Sequence, residues 1–181
     1  MNSPTMEKWK LPLIFGILAS LAILWDRCQK FNDTTGLHSE LGSSIQAGEF
    51  ELVRIIDGDS IVVDKGQGQI KVRLLGIDCP ERNQAYGAEA TNTLKETLGS
   101  HRLRVKGQKK DRWGRLLAHV YVGENLVNLE LIKKGCAWVY RAEQDIFWAD
   151  LNEAEEKARG EGLGLWSLPN PIYPGEWRKR K

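Results

Sequence analysis

A chain of 181 residues with 41% apolar residues is long enough for one core-bearing domain plus extensions. The net charge of +2 excludes a polyanion binder recognised by bulk charge, so charge matters only where it clusters. Three widely spaced cysteines, Cys28, Cys79 and Cys136, with no CxxC, argue against a disulfide framework and a thiolate metal site. In chain order, residues 11–25 form an unbroken, mostly apolar run with Lys8 and Lys10 before it and Asp26 and Arg27 after it. As a helix this run spans about 22 Å, a little short of the ~30 Å hydrocarbon core of a bilayer. Two readings stay open. One is an uncleaved anchor over residues 9–25, with Trp9 and Trp25 at the interfaces and the rest of the chain outside the cytoplasm. The other is a signal peptide, whose removal leaves a secreted protein. The lack of a small-x-small cleavage site after Trp25 favours the anchor. The segment 1–30 is therefore assigned to the anchor or signal, and residues 31–48, rich in Asn, Thr, Ser and Gly, to a linker.

From residue 49 the pattern changes. Apolar alternation predicts strands over 52–56, 60–63 and 69–76, separated by the turn signals Asp57-Gly58-Asp59 and Gly66-Gln67-Gly68. Residues 86–98 are good helix formers and stop at Gly99. Strands follow over 102–107 and 116–122, then a short helix over 126–134 closed by Gly135. A third helix, 146–159, places Phe147, Leu151, Ala154 and Ala158 on one side and Glu153, Glu155 and Glu156 outside. The domain thus runs from 49 to 167, followed by a Pro-rich basic tail over 168–181, with Trp166 and Trp177 as pins. Five strands with a helix between the third and fourth predict an α+β fold. It is a five-stranded OB-type β-barrel with three helices, beside the N-terminal hydrophobic helix. Such barrels bind oligonucleotides on one face, but the fold does not itself supply a function.

Three short stretches carry chemistry. Asp57-Gly58-Asp59 sits at a hairpin. Arg73 lies on the third strand, which Pro80 ends, so Asp78 and Glu81 fall where the strand opens into a loop. Asp111-Arg112-Trp113-Gly114-Arg115 joins the last two strands. Asp59 and Asp78 are hard oxygen ligands suited to Ca²⁺ or Mg²⁺. Glu81 is left to orient or deprotonate a water, and Arg73 and Arg115 to bind phosphate oxygens. Singly, these are a turn, solvated loop acids and surface arginines; together on one barrel they are the parts of a metal-assisted phosphodiesterase. From 102 to 115 seven basic residues stand against Asp111 alone, and residues 178–181 are all basic. Such patches attract nucleic acid or, in a rival reading, anionic lipid. Trp138 and Trp148 read as packing residues, Cys136 as core, and the three histidines receive no role.

The stretches 53–60, 72–81, 86–90 and 111–118, with Gly-Leu-Trp at 164–166, resemble the thermonuclease (staphylococcal-nuclease-like) family over about residues 50–177. The resemblance implies a Ca²⁺-dependent nuclease that cleaves DNA and RNA at the P–O5′ bond and leaves 3′-phosphates. It implies that Asp59, Asp78 and the Cys79 backbone carbonyl hold calcium, that Glu81 activates water, and that Arg73 and Arg115 bind the phosphate. Arg112 and Trp113 match the family's residues near the terminal nucleotide, and Tyr140 offers a second aromatic wall. Ser60 and Cys79 depart from the family's common threonines. DNA or RNA and the membrane are the expected partners, and no protein partner is evident. The alternative is a non-catalytic nucleic-acid-binding OB barrel anchored at a membrane, since some relatives keep the barrel and lose these acids and arginines.

Overall fold

The computed structural model describes residues 46–100, 102–140 and 145–180. The expected anchor over 9–25 and nearly all of the linker lie outside these residues. Among the described residues no helix is long and apolar enough to cross a membrane.

The first elements are β1 (Gln46–Asp57), β2 (Ser60–Asp64), β3 (Gln69–Leu74) and the two-residue β4 (Ile77–Asp78). After helix α1 (Gly87–Leu98) come β5 (Leu103–Lys110) and β6 (Leu116–Val122). Five of these strands run β3-β2-β1-β5-β6, and a parallel pairing of Val72 with Leu116 and Leu74 with Ala118 joins β3 to β6. That pairing closes the sheet into a barrel and removes its free edges. Period-two alternation drives the closure, because Ile61, Val63, Val72, Leu74, Val105 and Val120 point to one interior and are at most 1% exposed. β1 serves two neighbours. Its first half pairs with β5 and its second with β2, and two register shifts between Leu52 and Asp57 bend it between them.

The first strand starts at Gln46, inside the segment expected to be linker. Backbone pairing of Gln46 with Gly107 and of Gly48 with Val105 extends the sheet there, whatever the polarity of the side chains. The third strand, expected to run to residue 76, stops at Leu74. Gly76 takes a left-handed φ of 78°, which turns the chain. Ile77 and Asp78 then form a separate small sheet with Val139 and Trp138.

The remaining elements are β7 (Asn125–Leu126), α2 (Val127–Lys133), β8 (Trp138–Val139), α3 (Trp148–Gly160), a 3-10 turn (Gly164–Ser167) and α4 (Pro174–Lys179). α1 turns Ala90, Leu94 and Leu98 onto the barrel, and α3 buries Leu151, Ala154 and Ala158 as its spacing predicts. Two expectations on α3 change. Glu155 is tucked in and accepts a 3.0 Å hydrogen bond from the Val139 N–H, because β8 is too short to satisfy that donor itself. Trp148 is 45% exposed and is not a packing residue. α4 is a helix beyond the three expected. Pro174 starts it with a pre-set φ, and Arg178 and Lys179 suit its C-terminal dipole.

One buried polar side chain ties α2 to the barrel mouth. Asn128 is fully buried; its Oδ1 accepts from the Val120 N–H at 3.0 Å, and its Nδ2 donates to the Leu75 carbonyl at 2.8 Å. The Leu75 turn launches Asp78, so this side chain fixes where β4 leaves the barrel. Asn128→Ala orphans groups on both sides and is expected to cost about 2–4 kcal/mol in urea unfolding. A loss below about 0.5 kcal/mol would show that water replaces the amide.

Candidate active site

Arg73 organises the site. It lies on β3 opposite Ser60 of β2, and its side chain is about 10% exposed. Nη1 meets Asp59 Oδ2 at 2.9 Å, and Nη2 meets Asp78 Oδ1 at 2.8 Å. Nη1 also donates to the Leu74 carbonyl at 3.2 Å. A guanidinium has five donors, so these described contacts leave two for a ligand. Burial opposes the Arg73 charge, but Asp59 and Asp78 outweigh it and raise its pKa.

Asp59 is placed by its neighbours. Its Oδ1 accepts from the Ser60 hydroxyl at 2.9 Å and its Oδ2 from the Cys79 N–H at 2.9 Å. Burial pushes its carboxyl up to about 7, with Asp57 and Asp78 adding to the rise and Arg73 and the Cys79 N–H opposing it. Asp78, 1% exposed, comes from β4. The Cys79 thiol is also buried and its pKa is pushed well up, so it is not an activated thiolate.

Glu81 stands at the rim on a turn held by both the backbone and the side chain of Gln84. The Glu81 N–H donates to Gln84 Oε1 at 3.1 Å, and the Gln84 N–H returns to the Glu81 carbonyl at 2.8 Å. Gly87 has no room for a side chain, because a Cβ there would lie 1.9 Å from the Glu81 carbonyl oxygen. Tyr86, just before it, takes a left-handed φ of 69°, a strained value for a residue with a Cβ.

Arg115 is aimed by Asp111. Asp111 Oδ1 accepts from the Trp113 and Arg115 N–H groups at 2.9 and 3.0 Å, and its Oδ2 accepts from Arg115 Nε at 2.7 Å. Burial works the other way, but these bonds from Arg115 and Trp113 hold the Asp111 carboxyl below its ordinary value. Arg115 Nη1 reaches the Ser60 hydroxyl at 3.5 Å, which brings it beside Asp59. Arg112 covers the Trp113 ring at 4.1 Å, and that ring is 65% exposed. Tyr140 is anchored by its N–H to the Gly76 carbonyl at 2.9 Å, and its ring lies 6.3 Å from that of Tyr173.

All nine residues singled out from the sequence line one cavity of about 880 Å³. Three contributors went unseen. Asp111 shapes the loop that carries Arg115, Tyr173 hydrogen-bonds to Asp78, and Arg178 of α4 reaches Asp78 Oδ2 at 2.9 Å and Glu81 Oε1 at 2.6 Å. An Asp four residues before an Arg is a visible signal for the first; the others needed the tail's path. His119, given no role, bonds Asp145 at 2.8 Å and packs edge-on to Phe147.

Among the described residues no three His, Cys, Asp or Glu side chains gather as a ready metal cage. The donor chemistry nonetheless fits a hard cation. Two buried carboxylates converge on the Arg73 guanidinium, and burial, with Asp57 and Asp78 adding to it, pushes the Asp59 carboxyl up to about 7. Two carboxylates with open positions suit a divalent ion that keeps water or takes substrate oxygens.

A family model described as "Staphylococcal nuclease homologue" matches residues 71–168. An "Uncharacterized endonuclease" of Haemophilus influenzae is 39% identical over 132 residues, covering 72% of each chain. A "Micrococcal nuclease" of Shigella flexneri is 38% identical over 71% of this chain and 79% of its own length. A "Thermonuclease" of Staphylococcus intermedius is 36% identical over 66% of this chain and 77% of its own. With the closed barrel and a family match over more than half its length, this chain belongs to the staphylococcal nuclease homologue family.

Proposed function

We propose that this protein is a Ca²⁺-dependent nuclease that hydrolyses DNA and RNA to products with 3′-phosphate ends. The observation that carries the reading is the pair of buried carboxylates, Asp59 and Asp78, held on two arms of Arg73, with Glu81 and Arg115 lining the same cavity. The names of the relatives support a nuclease. Asp59, Asp78 and the Cys79 carbonyl would hold the cation, which supplies charge neutralisation and polarises a phosphoryl oxygen when bound.

This chain's own groups do the rest. Arg73 and Arg115 bind non-bridging phosphate oxygens from two different segments, so charge that grows on those oxygens meets fixed donors. Glu81 accepts a proton from the attacking water. The water oxygen bonds to phosphorus, the P–O5′ bond breaks with its electron pair going to the 5′ oxygen, that oxygen takes a proton from solvent and leaves as a hydroxyl, and Glu81 returns its proton to solvent. Arg112 and Trp113 offer a cation and an exposed ring to the neighbouring nucleotide, and Tyr140 a second ring. The same reading keeps the domain tethered or exported through residues 9–25, outside the described residues.

The test is cleavage of an end-labelled single-stranded oligonucleotide by the full chain with Ca²⁺ and with EDTA. Calcium-dependent cutting with 3′-phosphate ends is expected; binding without cutting would make this a nucleic-acid-binding barrel. Arg115→Ala is expected to lower kcat by roughly 10²–10³, as loss of a transition-state donor does. Asp111→Asn, which leaves Arg115 without its carboxylate partner, should cost roughly tenfold in kcat. Because folding lowers the Asp111 pKa, its stabilisation is complete above the ordinary value of 3.8 and fades as pH falls through and below it. Wild type and Asp111→Asn should therefore converge in thermal stability on acidification. Glu81→Gln is expected to slow turnover roughly 10²-fold or more while calorimetric calcium binding stays near wild type. Lost calcium binding would make Glu81 a ligand.

A further inference from the structure

We propose that Arg178, carried on α4, is a third substrate-binding arginine of this cavity and holds a phosphate of the nucleic-acid strand. The proposal rests on the nuclease reading and adds a residue to it. Arg178 lies about one hundred residues along the chain from its partners, with Nη1 on Glu81 Oε1 at 2.6 Å and on Asp78 Oδ1 at 3.4 Å, and Nη2 on Asp78 Oδ2 at 2.9 Å. Those are two of the acids of the proposed chemistry, and Arg178 and its neighbour Lys179 both line the cavity.

A structural clamp would explain the contact only if α4 depended on it, and α4 has other anchors. The Trp177 indole N–H donates to Asn83 Oδ1 at 3.4 Å. Gln84, whose Oε1 holds the Glu81 backbone, donates from Nε2 to the Ile172 carbonyl. Tyr173 packs its ring 6.0 Å from that of Trp138. Arg178 itself is 46% exposed along its side chain, whereas Asp78 is 1% exposed, so the Glu81 contact at the rim is screened by solvent and the Asp78 contact is not. Arg178 also supplies placement. A planar fork with free donors stands at the rim, over acids that would otherwise repel a polyanion.

A strand entering the cavity brings phosphates of the same charge as the carboxylates. Arg178 can exchange Glu81 for a phosphate oxygen by a side-chain rotation, since half of it is already in solvent. The exchange releases Glu81 to meet water at the moment substrate arrives. Three arginines on β3, on the β5–β6 loop and on α4 then contact the strand from three parts of the chain.

The test uses the full chain with Arg178→Met, Arg178→Lys and, as a charge-matched control at the C-terminal end of α4, Arg180→Gln. Affinity for single-stranded oligothymidylate is measured in EDTA across a salt series, beside KM, kcat and Tm. Arg178→Met is expected to weaken binding roughly tenfold and to lower the salt slope by about 1. KM should rise with kcat near wild type, the mark of uniform binding, at temperatures well below the Tm of the variant, whose lowering reports only the lost pair with Asp78. Arg178→Lys should keep the salt slope and recover part of the affinity. Arg180→Gln should stay within about twofold. Wild-type affinity and slope in Arg178→Met, or an affinity lost only at temperatures where the variant unfolds, overturns the proposal. Wild-type protein that binds with the expected Arg178 dependence but never cuts overturns the hydrolytic reading and leaves Arg178 as a strand contact. Wild-type protein that neither binds nor cuts overturns both.

Discussion

A buried guanidinium between two buried carboxylates is the constraint from which the rest of this structure follows. Arg73 belongs to the barrel wall, Asp59 to the β1–β2 turn and Asp78 to a short strand outside the barrel. A charge at that depth must be paired, and removing one partner of a buried pair commonly costs about 3–5 kcal/mol. Three segments are thereby forced to meet at one end of the barrel. The supporting contacts serve that meeting. Asn128 holds the Leu75 turn, the Cys79 N–H holds Asp59, and the Trp138 strand pairs with Asp78.

Acids and arginines share one cavity. Asp57, Asp59, Asp78 and Glu81 crowd one cavity, and burial with that crowding leaves Asp59 at about 7. The arginines divide by burial. Arg73 is locked in place, Arg115 is half-fixed through Asp111, and Arg178 is partly in solvent. That gradient runs from a group that shapes the site to one free to trade partners.

The C-terminal segment belongs to the site as much as to the fold. The rings of Trp138, Trp166 and Tyr173 meet at 5.2 and 6.0 Å, in edge-on contacts that favour aromatic pairs. Arg159 lies over the Trp166 ring at 3.9 Å. This cluster carries the chain back from α3 past β8 to Glu81. Residues 168–181, which composition marks as a basic tail, are folded against the cavity through residue 180.

Local chemistry determined much of this protein in advance. Period-two alternation marked the barrel strands, since one face of each had to leave water, and helix-forming runs ending at glycine marked α1 and α2. The acids and arginines at 59, 73, 78, 81 and 115 could be singled out because hard ligands and guanidinium forks are residue types that chemistry restricts, and the fold gathers them around one cavity. Only the tertiary structure decided the rest. Backbone pairing carried β1 back to Gln46, because a ladder needs N–H and C=O groups and no particular side chain. The Gly76 turn moved Asp78 off the barrel, and the lone Val139 N–H drew Glu155 inward from an otherwise solvated helix face. Arg178 met Glu81 across about one hundred residues of sequence. Periodicity reports which way a residue faces within its own element, whereas partners so distant are chosen by how the elements pack.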